Sequence, residues 1–448
     1  MSENTVTAEL TEWLCSVRYE QFPAAVRSKT LDVVFDSLGC MVACSGLPEV
    51  AAIVQLNQDM SDRPECAIVG HKVRSSVIGA AMANGAMAHG DEVDPVHLSS
   101  SGGHVASGTV PTALTVGEWL DVGGKDFLRA VALGYEIGGR VMTLLYRERD
   151  YIARRFYHTS VAGVLSSAVT ASLLLGLKAK SIQVALGLAA YQAAGPDNMT
   201  KDPGHMGKTF QVAAANRNGV TAALLAQKDC FVPLDILDGK FSFFDAFVGA
   251  PQVAAELTKE LGGYYAIVDV MHKRYPVGSP NLTYLQGLFA IIQQHAIGPE
   301  DIHEIEIHLP QRSVQRVPTT RHASISGEVV CAIAAAHGRL DFYTLHDGTA
   351  VEDAAVGEMR KRIRLVGRND WQDLDHGRHA IVIVRSKDGR VFEQEVWHEP
   401  MNGQQLDEKF DALVGPKWGE AKTRRLKEQI RDLENAQSIR PLLHELQG

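Results

Sequence analysis

The sequence predicts a mainly α-helical fold of two domains. A large all-helical domain spans residues 1–264 and is completed by 401–448; a smaller α+β lid domain spans 265–400. Three observations carry this. Long stretches of the chain repeat apolar residues at helical spacing. Strand-like runs and alternation set in after about residue 264. The chain then returns to a charged, helical pattern at its end. Its 448 residues, 45% hydrophobic and 22% charged, suit two domains and supply ample material for a large core.

The elements follow in order. Pro23 suits the first position of a helix running through Val33, Phe35, Leu38 and Val42 to Cys44, with Gly46 just past its end. Helical patterns then span about 74–89, 110–120, 125–146, 160–177, 181–194, 208–229, 281–296, 326–340, 350–362 and 403–414. The charged stretch 419–446 reads as a surface helix. AAMANGAMA, LGLAAYQAAG and QVAAANRNGVTAALLA are rich in small residues, which let helices approach closely. They predict a dense helical core or an oligomer interface. YAIVDV (265–270), HEIEIHL (303–309), HAIVIVR (379–385) and VFEQEVW (391–397) read as strands. The Asp-Gly in Ser386-Lys387-Asp388-Gly389-Arg390 marks a hairpin between the last two.

Charge and motifs narrow the function. The net charge is −9, from 44 Lys+Arg and 53 Asp+Glu, which argues against nucleic acid or an anionic membrane as partner. The N-terminal residues carry no basic segment followed by an apolar one, so no signal peptide is expected. The apolar run Val161–Leu177 is short for a membrane span and is interrupted by Ser166, Ser167, Thr170 and Ser172. Cys15, Cys40, Cys44, Cys66, Cys230 and Cys331 form no CxxC pair, and Cys40 and Cys44, one helical turn apart, read as buried thiols. A cytoplasmic, reducing setting is expected. No phosphate loop, HExxH, GxSxG or strand-linked GxGxxG is present, which disfavours nucleotide, zincin and hydrolase readings.

Four blocks hold the candidate chemistry. The first runs from Asn84 to Gly108 and packs His89, Asp91, Glu92, Asp94, His97 and His104 beside a Gly/Ser-rich loop. Acid and imidazole groups so placed serve proton transfer, bind a divalent metal, or simply cap helices and hydrogen-bond a buried loop. In the second, RRFYHTSVAG, Ser160 can N-cap the following helix, leaving His158 just ahead of the positive helix end. That position favours a neutral imidazole, or anion binding by nearby amides. In the third, Lys208 opens an Ala-rich helix, where an ammonium opposes the macrodipole unless it meets an anion in a cleft. A lowered pKa would let it act as a base; the alternative is a solvated lysine. In the fourth, MHKRYPVGSPN, Lys273 and Arg274 precede a Tyr275-Pro276 turn and form either a carboxylate-binding corner or solvated charge.

Taken in order, LDVVFDSLGCMVA, NGAMAHGDEVD, GYEIGGRV, HTSVAGVLSSAVTASLLLGL, KTFQVAAANRNGVTAALLA, KRYP and GEVVCAIAAAHG resemble the MmgE/PrpD family over nearly the whole chain. That family includes 2-methylcitrate dehydratases, cis-aconitate decarboxylases and iminodisuccinate epimerases. The resemblance implies an all-helical domain with an α+β lid, a cleft between them, and homodimers. It equates the family's active-site Asp with Asp91, its loop His with His104, its second His with His158, and its lysines with Lys208 and Lys273. Three positions depart from the pattern: Gln211 replaces a His, Val329 an aromatic, and Gly278 a Cys or His carried by dehydratases and decarboxylases. The loop between Asp94 and His104 is also longer.

Loss of an acid–base group at 278 points toward the iminodisuccinate epimerase branch, and so toward a cofactor-independent isomerase. The expected reaction is inversion at a carbon α to a carboxylate of a small polycarboxylate, without metal. Lys208 and His104 would be the acid–base pair, with His158 as substitute for either and Asp91 orienting an imidazole or lysine. Lys273, Arg274, Tyr275 and His97 would bind substrate. The alternatives are a 2-methylcitrate dehydratase-like hydro-lyase and a metal-dependent hydrolase using His89, Asp91, Asp94 and His97.

Overall fold

A computed structural model describes residues 5–448 except 149–150, 152–153, 199–201, 203, 229, 318–321 and 372–377. The small-residue stretches become the centre of a helical body. Val77–Ala88, Ala106–Leu120, Gly124–Arg147, His158–Leu174 and Met206–Ala226 bury most of their length against one another. A Cβ on Gly219 would sit 2.5 Å from the Ser167 hydroxyl, so at this crossing only glycine lets the backbones meet. Polar groups between the helices are paired internally. The Asn216 amide donates to the Ser107 carbonyl at 2.9 Å and accepts from the Thr112 hydroxyl at 2.7 Å. Such paired groups fix helix register, because a slip would leave a buried partner unsatisfied at about 1–3 kcal/mol.

Pro23 caps Ala24–Cys44 from one position outside it rather than opening its first turn. The C-terminal segment returns to this helix. Gly403–Arg431, bent at Gly419 (φ 75°), stacks Phe410 on Phe35 at 4.4 Å and pairs Lys409 with the buried Asp36 at 2.6 Å. The stretch 419–446 is therefore no single surface helix. It breaks after Arg431, resumes at Arg440–Leu446, and buries Leu426, Ile430, Leu442, Leu443 and Leu446 in the body's core.

A second apolar core forms around a four-stranded sheet ordered Ile363–Arg368, Ile302–Pro310, His379–Ser386, Val391–Trp397. Ile305 pairs with Ile363 in parallel, and Ile307 with Val382 antiparallel. Ser279–His295 and Gly327–His337 pack on it through Leu285, Leu288 and Cys331. The hairpin forms at Ser386–Arg390, with Gly389 at φ 90° and the Ser386 N–H donating to the Arg390 carbonyl at 2.9 Å. Residues 265–270 are not a strand. They form a short 3-10 turn, Ala266–Asp269, before a two-residue pairing of Val270–Met271 with Val96–His97. The reason lies in the body: the Ala266 N–H donates to the Glu136 carboxylate at 2.6 Å, so that donor is lost to any ladder. Ile363–Arg368 is a strand without a sequence signal, since Arg364 and Gly367 blur its alternation. No single helix among the described residues is long and apolar enough to cross a membrane.

Candidate active site

The loop after Val77–Ala88 buries Asp91 and Asp94 and leaves Glu92 half-buried at the cavity, and buried carboxylates persist only where cations and donors meet them. Three side chains pin its backbone. Lys208 donates to the Asp91 carbonyl at 2.8 Å, Thr209 to the Gly90 carbonyl at 3.3 Å, and Lys409 to the Val93 carbonyl at 2.8 Å. The charges then interlock. Lys208 Nζ lies 3.4 Å from Glu92 Oε1 and 3.9 Å from Asp94 Oδ1, and Lys273 Nζ lies 2.8 Å from Glu92 Oε2.

This balance corrects one expectation. Burial opposes charge on Lys208, but Glu92, Asp94 and Asp91 outweigh it and hold the ammonium above the usual lysine range. Lys208 is a fixed cation and not a base of lowered pKa. Burial likewise opposes charge on Glu92, yet Lys208 and Lys273 keep it well below the usual carboxylate range.

Asp94 orients the cavity-side imidazoles, whereas Asp91 faces a different set of rings. Asp94 Oδ2 lies 2.8 Å from His104 Nδ1 and 2.9 Å from His89 Nδ1. A carboxylate only accepts, so each ring donates its Nδ1–H. Burial, with Lys208 beside it, pushes His89 down to about 3, and burial also lowers His104. His89 is used up, because its Nε2 accepts from the Tyr157 hydroxyl at 2.7 Å. His104 keeps Nε2 for the space in front of it. His158 opens its helix, where Nε2–H donates to the Ser100 carbonyl at 3.1 Å; burial, Arg316 and His104 push it down to about 3. Ser160 is not the cap. It lies inside the first turn, its hydroxyl donating to the Ala194 carbonyl at 2.7 Å.

That space is a cavity of about 800 Å³. Glu92, His104, Tyr157 and His158 line it from the helical body, and Gly278, Ser279, Arg312 and Arg316 from the second core. Arg155 and Arg368 reach it as well. Sequence reasoning assigned no role to Glu92 or the arginines. Arg312 and Arg316 are four apart on the short helix Gln311–Arg316, so they share a face, and this was the one signal available.

Other expected site residues sit elsewhere. His97 lines a separate cavity with Arg140 and Asp269, and its Nδ1 meets the Ser100 hydroxyl at 3.1 Å. Arg274 is exposed and lies over the Tyr275 ring, and Tyr275 packs on Phe289 at 5.3 Å; neither lines the large cavity. Lys273 is fully buried behind Glu92. Asp91 turns away from the cavity toward His205, His322 and His346. The set His89, Asp91, Asp94 and His97 therefore does not assemble around one point. The described residues instead place two triads within ligand distance: His89, Asp94, His104, and Asp91, His205, His322.

The mainly helical fold thus clusters imidazole, carboxylate and lysine side chains behind an arginine-rimmed cavity. The MmgE/PrpD N-terminal domain matches residues 8–256 and the MmgE/PrpD C-terminal domain residues 275–435, and the chain belongs to this family. It is 26% identical to the cis-aconitate decarboxylase-like protein oryM of Aspergillus oryzae, covering 100% of this chain and 98% of that protein. It is 24% identical to cis-aconitate decarboxylase of Aspergillus terreus (99% and 96% covered) and 24% identical to that of Mus musculus (92% and 87%). These relatives are lyases by name, which overturns the expectation of an isomerase.

Proposed function

We propose that the protein is a lyase acting on a small polycarboxylate at a carbon next to a carboxyl group. The carrying observation is His104: a neutral imidazole on the cavity wall, its Nδ1–H held by Asp94 and its Nε2 left for the substrate. In the elimination direction, Nε2 takes the proton from that carbon. The electron pair forms the C=C bond as the C–O bond on the adjacent carbon breaks, and the hydroxyl leaves as water with the proton returned by the His104 imidazolium or taken from solvent, since Gly278 puts no acid there. Arg312 and Arg316 hold carboxylates by charge-assisted hydrogen bonds, and the ammonium groups of Lys208 and Lys273 offset the charge that develops. This is the hydro-lyase chemistry of the dehydratase branch.

The names of the relatives favour a second reading, decarboxylation of a cis-aconitate-like tricarboxylate. There the C–C bond to one carboxylate breaks, CO2 leaves, and the carbanion takes a proton. Gly278 puts no acid on that part of the wall, so the proton would have to reach the carbanion by way of His104 or His158. Incubating the protein with hydroxy-tricarboxylates and with cis-aconitate in deuterated water separates the two. Alkene formation without CO2 supports elimination, CO2 release with deuterium in the product supports decarboxylation, and neither signal refutes the lyase reading.

A further inference from the structure

The cluster around Asp91 is used by neither reaction. Four chain segments converge there. Asp91 Oδ1 accepts from the Ser324 hydroxyl at 2.8 Å and lies 3.8 Å from both His205 Nε2 and His322 Nδ1. Its Oδ2 lies 2.8 Å from His346 Nε2. The His205 and His322 rings stack at 4.0 Å. His205 is fully buried, yet neither of its ring nitrogens makes a hydrogen bond; Glu92 Oε1, at 3.5 Å, is the nearest recorded acceptor. Its backbone is also held at φ 56°, a left-handed conformation uncommon outside glycine and costly to hold. A buried, unsatisfied imidazole on a strained backbone persists where the site has a use for it.

We propose that Asp91, His205 and His322 form a site for a divalent metal ion of the zinc type. Their ligand atoms all lie within 4.8 Å of one another. Tetrahedral bonds of about 2.0–2.1 Å place ligand atoms about 3.4 Å apart; the two 3.8 Å separations from Asp91 Oδ1 need shifts of a few tenths of an ångström, and the His205 and His322 rings, stacked with ligand atoms within 4.8 Å, must turn out of their stack to meet the ion. Imidazole with carboxylate selects zinc or a similar borderline ion over soft copper(I). His346 holds the carboxylate from behind. Its Nδ1–H donates to the Phe342 carbonyl at 2.6 Å, so it pairs with Asp91 Oδ2 at 2.8 Å as an imidazolium with Nε2 protonated as well. The Ser324 hydroxyl, between Asp91 Oδ1 and His322 Nδ1 (2.7 Å), is the group the ion displaces. Three protein ligands leave one position for water.

This inference is independent of the lyase reading. The test uses the full chain with equimolar zinc chloride. Crystals measured at the zinc edge should show an anomalous peak among Asp91, His205 and His322. In solution, metal analysis after gel filtration should find one zinc per chain in the wild type and in His89→Gln, and none in His205→Gln. His346→Phe should weaken zinc binding by about 10–100-fold. A wild-type crystal with no peak at this cluster, or with its peak among His89, Asp94 and His104, overturns the proposal even if a variant fails to fold.

Discussion

Replacing Lys409 by Met tests how the C-terminal segment holds the site loop. In the wild type, Lys409 Nζ pairs with Asp36 Oδ1 at 2.6 Å and donates to the Val93 carbonyl at 2.8 Å, both buried. Methionine fits the volume but leaves Asp36 with His272, at 2.7 Å, and the weak Cys40 thiol donor at 3.6 Å. Breaking a buried pair from one side costs about 3–5 kcal/mol. The Val93 carbonyl, left with only the weak Cys40 thiol donor at 3.4 Å, adds about 1 kcal/mol. Urea unfolding followed by tryptophan fluorescence should therefore show a loss of about 4–6 kcal/mol, summing those two estimates. The double variant Asp36→Leu, Lys409→Met should recover most of it, because an apolar pair of similar volume avoids the desolvation cost. The pH dependence has a definite sign. Burial opposes the charge on Asp36, but Lys409 and His272 lower its pKa, so its contribution is present above about 3.9 and is lost as pH falls through the folded value. Asp36 in turn raises Lys409 against its burial, so that contribution holds below about 10.4 and is lost as pH rises through the folded value. A single-variant loss under about 1 kcal/mol, or a double variant that costs the sum of both singles, would refute the reasoning.

His104→Gln should lower turnover by about 10²–10⁴-fold while substrate affinity changes little, and near-wild-type turnover removes His104 from the chemistry. Because burial lowers His104, the acid limb of the rate profile should lie below about pH 6.5; a limb above that value contradicts the neutral imidazole. Arg316→Met should weaken carboxylate binding by about 1.5–3 kcal/mol, read by calorimetry with a tricarboxylate, and unchanged affinity places the carboxylates elsewhere. Gly278→Cys should leave the melting temperature unchanged, because a Cβ there meets nothing closer than 3.8 Å at an ordinary φ of −52°; a marked drop would mean the wall is tighter than described.

The body was legible because its signals are local and numerous. A run such as QVAAANRNGVTAALLA has the period of a helix and the small residues of a tight crossing at once. Ile363–Arg368 was illegible for the opposite reason: it is half-buried and takes its strand character from pairing with Ile302–Pro310. The loop from His89 to His104 announced itself because ionisable groups rarely gather on so few residues, and His158, Lys208 and Lys273 stood out by their places at helix starts and a turn, with the family resemblance attaching roles to them. Which carboxylate faces which ring was not readable. Asp91 and Asp94 differ by three positions and their surroundings come from distant segments. The same holds for Arg312 and for His205, His322 and His346. Each reads as an ordinary surface residue until folding brings in its neighbours.

The bond from Lys409 to the Val93 carbonyl has a consequence for synthesis. During translation the N-terminal body emerges first, with Asp36 already committed to an interior that lacks its cation. The His272 imidazole, 2.7 Å from Asp36, becomes available before Lys409, its second partner, is made. Residues 403–446 thus complete both the helical core and the charge balance of the buried Asp36.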